Sequence, residues 1–215
     1  MNVAERVARA LLEINAVGFS LQKPITFKSG IVSPVYVDNR TLPFWPSVWR
    51  EIIEGFKVKI DNEKIIFDVF AGIESAGIPH SAALGFFMEK PSIFVRKALK
   101  DHGTKKRVEG GDINGKTVLL IEDLVTTGGS SLSGVEALRL SGAHVDNCLV
   151  IIQYGFKESA EAFKLAKVNL HSLTTFPIVL EEAFALKKIT GAERTIIEDW
   201  FADPHGWASR NNMVL

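Results

Sequence analysis

The stretch "VLLIEDLVTTGGSS", Val118 to Ser131, decides how the rest of the chain is read. A continuous apolar run ends in two adjacent carboxylates, Glu122 and Asp123, and Thr126, Thr127, Gly128, Gly129, Ser130 and Ser131 follow. The apolar run over 117–121 predicts a strand buried on both faces, and "SLSGVEALRLSGA" (131–143) predicts a helix ending near Gly142. Glycines between a strand and a helix let backbone amides approach a ligand, and the helix start behind them favours a phosphate. Glu122 and Asp123 would repel that phosphate. A ligand carrying both phosphate and hydroxyl groups removes the conflict. The carboxylates then accept hydrogen bonds from sugar hydroxyls or hold Mg²⁺ nearby, while Thr126, Thr127 and Ser130 add hydroxyl donors.

Outward from this corner, strand and helix patterns alternate. Strands are predicted at 65–72, 92–95, 145–152 and 169–173, and helices at 78–88 and 158–167. Apolar strands alternating with helices indicate an α/β fold with a parallel sheet covered on both faces. Before this core, Val3, Val7, Ala10, Leu11 and Ile14 mark one face of an amphipathic helix over 3–16. Two short strands are predicted around Ser29-Gly30, then a helix from Pro46 to about Phe56. Residues 177–203 read as helical, with "DPHGW" closing the tail.

Composition narrows the class. The 215 residues contain 25 Lys+Arg and 25 Asp+Glu, so no overall positive charge argues for nucleic acid. The single cysteine, Cys148, rules out an internal disulfide and, in "CLVII", reads as a buried structural thiol. The start "MNVAERVARALLEI" lacks the unbroken apolar core of a secretory signal, and no run approaches a membrane span. A cytoplasmic protein with no membrane partner is expected.

An open parallel sheet binds ligands beyond the carboxyl ends of its strands, which brings loops 72–77, 96–112 and 122–131 together. Loop 96–112 clusters Arg96, Lys97, Lys100, Lys105, Lys106 and Arg107, and Gly103, Gly110 and Gly111 suggest mobility. Such a loop beside a phosphate site suits a second anion such as diphosphate. His102 lies inside it and is the histidine singled out, ahead of His80, His144, His171 and His205. In "GIESAG" (72–77) the glycines let amides face the ligand space. GxGxxG does not occur, which argues against a dinucleotide-binding fold, and the GxxxxGK[ST] match at Gly110–Thr117 runs into a predicted strand instead of opening a helix, which argues against a P-loop ATPase.

The corner stretch is similar to the signature of the type I phosphoribosyltransferases, which bind 5-phospho-α-D-ribose 1-diphosphate (PRPP) on a Rossmann-like sheet. "RKALKDHG" (96–103) resembles the mobile catalytic loop of the orotate phosphoribosyltransferases. "FKSG" (27–30) with "SPVYVD" (33–38) resembles their orotate-side segment, and "GIESAGIPHSAALG" resembles their diphosphate-side loop. The resemblance implies a Rossmann-like parallel sheet flanked by helices with a small amino-terminal hood. It divides one domain, 1–215, into an amino-terminal helix and hood segment (1–60), a PRPP-binding core (61–175) and carboxy-terminal helices (176–215). It implies transfer of the phosphoribosyl group of PRPP to orotate in UMP biosynthesis.

The same resemblance implies roles. Arg96, Lys100 and His102 would be catalytic. PRPP would meet Arg96, Lys97, Lys100, His102, Glu122, Asp123, Leu124, Val125, Thr126, Thr127, Gly128, Gly129 and Ser130. Orotate would meet Thr126, Lys28 and Tyr36. Mg²⁺ would be held mainly through PRPP, with Asp123 a candidate ligand. A homodimer sharing the mobile loop between subunits is implied. Some members carry an arginine for the orotate carboxylate after the strand that follows the PRPP motif, and a lysine before the glycine of the diphosphate-side loop. This chain has "IIQYGF" (151–156) and Ala76 there, resembling a branch that reads Tyr-Gly and Ala-Gly. The competing readings are a phosphoribosyltransferase for another base and a PRPP-sensing regulator that binds nucleic acid through residues 96–107.

Overall fold

A computed structural model describes residues 1–27, 29–98 and 106–211. Helix α1 (Val3–Glu13) opens with a capping box in which Asn2 and Glu5 satisfy each other's backbone amides. Short strands β1 (Val17–Phe19), β2 (Ile25–Thr26), β3 (Val32–Ser33) and β4 (Val35–Val37) form two small antiparallel pairs, β1 with β4 and β2 with β3. The β2–β3 hairpin turns at Ser29-Gly30, as its sequence predicts. The β1–β4 pair is not evident in the sequence because three residues are too few to show a period. A 3-10 turn (Asn39–Phe44) leads into α2 (Pro46–Asn62). Helix α2 runs past Phe56 because Ile60 is buried and Lys57–Asp61 and Lys59–Glu63 pair along its surface.

The core continues with β5 (Val69–Ile73), α3 (Gly77–Phe87), β6 (Ser92–Val95), β7 (Val108–Glu109), β8 (Thr117–Val125), α4 (Gly129–Leu140), β9 (His144–Gln153), α5 (Lys157–Leu165) and β10 (Asn169–Thr175). Helices α6 (Phe176–Ala185), α7 (Gly191–Ala202) and α8 (Trp207–Arg210) close the chain. The region 177–203 is therefore two helices. They part at Lys187, in the left-handed region, before a Thr190–Glu193 capping box starts α7.

The central sheet has the order β10-β9-β8-β5-β6-β7, parallel except for β7 against β6. Alternation along each strand feeds two cores. Leu119, Ile121, Leu149 and Ile151 join a cluster with α1, α2, α6 and α7, whereas Val118, Leu120, Cys148 and Val150 join one with α4 and Phe163 of α5. Cys148 is fully buried, as expected. Among the described residues, no helix is long and apolar enough to cross a membrane.

An aromatic group knits the two ends of the chain together. Trp200 of α7 packs edge-on against Tyr154, Phe156, Phe176 and Phe27, and its indole N–H donates to the Val32 carbonyl at 2.8 Å. The carboxy-terminal helices thereby hold the β2–β3 hairpin against the sheet.

Candidate active site

Strand β8 carries the acidic pair. It does not end at Ile121, as its apolar run suggests. Pairing with β9 continues through Glu122–Val150, Leu124–Ile152 and Val125–Gln153. Glu122 and Asp123 therefore stand on a fixed strand end and not in a loop. Glu122 is 5% exposed, and its Oε1 accepts the Asp123 amide at 3.2 Å. Burial, and then the neighbouring Asp123 charge, push the Glu122 carboxyl well above the usual carboxylate range. Burial also raises Asp123, while a hydrogen bond from Glu122 works the other way. Burial thus disfavours charge on both carboxyls, and more strongly on Glu122.

Past Val125, Gly128 has φ +88°, and a Cβ there would meet the Phe163 ring at 2.8 Å. Only glycine fits this turn without strain. It starts α4 two residues earlier than the sequence pattern indicates, and no side chain caps that helix. The first-turn amides are left for an anion. Residues 124–131 line a pocket of about 190 Å³ together with Phe27 and Ser29 from the hairpin. Thr126 and Thr127 are half-buried, Gly129 and Ser130 are exposed, and Ser131 is buried.

The other two loops converge here through close backbone packing. A Cβ on Gly72 would lie 2.6 Å from the Gly77 carbonyl, and one on Gly77 would lie 2.5 Å from the Ile121 carbonyl. The 72–77 loop thus folds back on itself and sits against β8, beside Glu122. The Lys97 amide donates to Glu74 Oε2 at 2.9 Å, and its charge acts on both Glu122 and Asp123. The three loops meet as the sheet topology predicts.

The cationic run is not uniform. Arg96 pairs with Glu109 at 3.3 Å, and Arg107 donates to the Arg96 carbonyl at 2.8 Å and to the Ser133 hydroxyl at 3.0 Å. Strand β7, not foreseen, forms because Val108 and Glu109 pair back onto β6. Gly110 is in the left-handed region (φ +116°), and a Cβ there would lie 3.1 Å from the Ile93 backbone, so this glycine serves close packing. Lys28, Lys100, His102, Gly103 and Lys105 lie outside the described residues. Phe27 and Ser29, on either side of Lys28, both line the phosphate-sized pocket. Tyr36 is half-buried on β4, its ring lying across Gly18, where a Cβ would come within 2.2 Å of it.

A family model for the phosphoribosyl transferase domain matches residues 45–171. The orotate phosphoribosyltransferase of Coxiella burnetii is 37% identical over 207 residues, which cover 96% of this chain and 99% of that protein. The chain belongs to the orotate phosphoribosyltransferase family. The Staphylococcus saprophyticus orotate phosphoribosyltransferase is 38% identical over 198 residues, covering 92% of this chain and 98% of its own. Among solved structures, the Aeropyrum pernix orotate phosphoribosyltransferase superposes with a TM-score of 0.73 at 29% identity, covering 83% of this chain and 98% of that one. The Leishmania donovani UMP synthase superposes with a TM-score of 0.81 at 25% identity. That match covers 94% of this chain, which spans only 42% of the larger protein.

In this orotate phosphoribosyltransferase family member, two residues at the strand end escaped the sequence reading. Asn39 is fully buried, and its Nδ2 donates to the Asp123 carbonyl at 2.9 Å across 84 positions of sequence. Arg40 is held by Asp38 and feels the Asp123 charge. Their only signal is that they directly follow "SPVYVD". His80 is also buried. It accepts the Trp49 indole N–H on Nδ1 at 3.0 Å, and burial pushes it down to about 4, so it is a neutral structural histidine.

Proposed function

We infer that this protein transfers the phosphoribosyl group of PRPP to orotate, giving orotidine 5′-monophosphate and diphosphate for UMP synthesis. The observation that carries the reading is the β8 corner, where buried Glu122 and half-buried Asp123 on a rigid strand end stand next to an uncapped helix start. A phosphorylated sugar satisfies both parts, with hydroxyls for Glu122 and Asp123 and phosphate for Thr126 to Ser130.

The reaction needs no protein nucleophile. A ring nitrogen of orotate bonds to the anomeric carbon, and the carbon–oxygen bond to diphosphate breaks, with the electron pair leaving on diphosphate. The sugar gains oxocarbenium character and diphosphate gains negative charge. Catalysis then rests on positioning and fixed charges. Asp123 accepts hydrogen bonds from the ribose hydroxyls and lies near the positive sugar. Glu122, whose burial favours the protonated form, supports it from the strand end. Lys97, with Arg96, Lys100 and His102 by resemblance, faces the diphosphate. Thr126, Lys28 and Tyr36 serve the orotate side.

Among the described residues, no group of three or more His, Cys, Asp or Glu side chains could hold a metal ion. Asp123 alone suits Mg²⁺ whose remaining ligands come from phosphate oxygens and water, the usual arrangement for this ion. When bound, Mg²⁺ would neutralise charge on the leaving diphosphate. We further propose that the amino-terminal segment, core and closing helices work as one domain, that two chains share the 96–107 loop across a homodimer, and that the protein is cytoplasmic with no nucleic-acid or membrane partner.

The test follows orotate's ultraviolet absorbance with PRPP and Mg²⁺, beside a panel of bases read by diphosphate release. Orotate should be consumed only when PRPP and Mg²⁺ are both present. Faster diphosphate release with adenine, hypoxanthine or uracil would overturn the assignment.

A further inference from the structure

Orotate enters the site as an anion, and the strand end beside it is already acidic. Asp38 and Asp123 gather there, so a substrate carboxylate needs a cation close by. The stretch Ile151–Phe156 supplies none. Gln153 Nε2 is engaged with the Ser172 hydroxyl at 2.8 Å, and Tyr154 is fully buried in the aromatic group, its hydroxyl without a partner among the described residues. Lys97, whose backbone amide is held by Glu74, faces the diphosphate in the reading above, and Lys28, on the orotate side by resemblance, lies outside the described residues.

The Asp38–Asn39–Arg40 segment meets the need. Asn39 anchors it to the Asp123 carbonyl at 2.9 Å. Asp38 grips the Arg40 guanidinium in a fork, Nε to Oδ1 at 2.6 Å and Nη2 to Oδ2 at 2.8 Å, and also accepts the Arg40 amide at 3.2 Å. The guanidinium is therefore oriented before any ligand arrives. Its outer edge stays available: Nη1 makes no hydrogen bond among the described residues, and the side chain is 68% exposed. The bond from the adjacent Asn39 to the Asp123 carbonyl sets Arg40 beside the ribose end of the site.

We propose that Arg40 is the specificity-determining contact for the substrate's carboxylate, offering its outer guanidinium edge to the group that distinguishes orotate from uracil. This rests on the orotate reading above. Asp38 is then a positioning residue, and Asn39 ties the pair to the carboxylate that meets the ribose.

The test compares two nucleotides that differ only in that carboxylate. Orotidine 5′-monophosphate and UMP are titrated calorimetrically into the wild-type protein, Arg40→Ala and Arg40→Lys. The wild type should prefer orotidine 5′-monophosphate, and Arg40→Ala should lose about 10- to 100-fold in that preference, the scale of a charged hydrogen-bonded contact, with UMP affinity unchanged. Arg40→Lys should recover part of it, because the charge stays and the fork is lost. An unchanged preference in Arg40→Ala, or an equal loss for both nucleotides, overturns the proposal. A wild type that fails to turn over orotate defeats the underlying reading instead, so the two failures are distinguishable. Arg40 is exposed, so the variants should fold.

Discussion

At the scale of single residues, the site is a matter of charge placement and of two special backbones. Burial and the neighbouring Asp123 charge work hardest against ionisation of Glu122, and Asp123 is raised less. Asp123→Asn keeps the volume, removes the negative acceptor and relieves the repulsion on Glu122. PRPP affinity measured by calorimetry with Mg²⁺ should fall about 10- to 100-fold, the scale for a hydrogen bond to a charged group. Unchanged affinity would take Asp123 out of the ribose site. Gly128→Ala should cost about 1–2 kcal/mol from the left-handed backbone alone, before any shift of Phe163. Urea denaturation checks the stability, and a variant as stable as the wild type would contradict the turn geometry. Both residues stand out in the sequence, since acids beside a Thr-Thr-Gly-Gly run are visible by eye. Asn39 was invisible because its only relevant partner is a carbonyl 84 residues away.

At the scale of elements, the question is what holds the hairpin over the pocket at the start of α4. Phe27 packs against Tyr154 and Trp200, and the Trp200 indole caps the Val32 carbonyl, so α7 clamps β2 and β3. Trp200→Phe leaves that buried carbonyl without its partner. A loss of about 1–3 kcal/mol is expected for the unsatisfied group. Thermal unfolding reads the loss, and a variant with the wild-type midpoint would show that the clamp lies elsewhere. The core elements were legible because their apolar period is unambiguous: β6 runs over Ser92–Val95, as its sequence predicts, and α3 begins one residue earlier than expected, at Gly77. Strand β8 was misjudged at its end, since a glutamate and an aspartate look like loop until β9 is seen to continue the ladder beside them.

At the scale of the whole molecule, acid stability should report the packing of α2 on α3. Trp49 on α2 donates to His80 Nδ1 on α3, so protonating His80 breaks that contact as well as charging a fully buried ring. Its folded value of about 4 lies below its ordinary 6.5. The unfolded chain therefore binds the extra proton first. The stability from His80 is complete above pH 6.5 and drains away as pH falls toward 4. From pH 7 to pH 5 that is about 2 kcal/mol. Urea titrations at the two pH values should show His80→Gln losing about that much less than the wild type. Equal losses would assign the acid sensitivity to other groups. Taken alone, the sequence determined the alternation of apolar strands and helices, the meeting of three loops at the carboxyl ends of the strands, and the acid-then-glycine corner. Those are local properties, set by side-chain period and by which residues tolerate a turn. Only the tertiary structure decided that burial raises both Glu122 and Asp123, that His80 is buried and neutral, and that Asp38, Asn39 and Arg40 stand at the end of β8. Each of these depends on burial or on partners brought from distant parts of the chain, and no local pattern of residues encodes either.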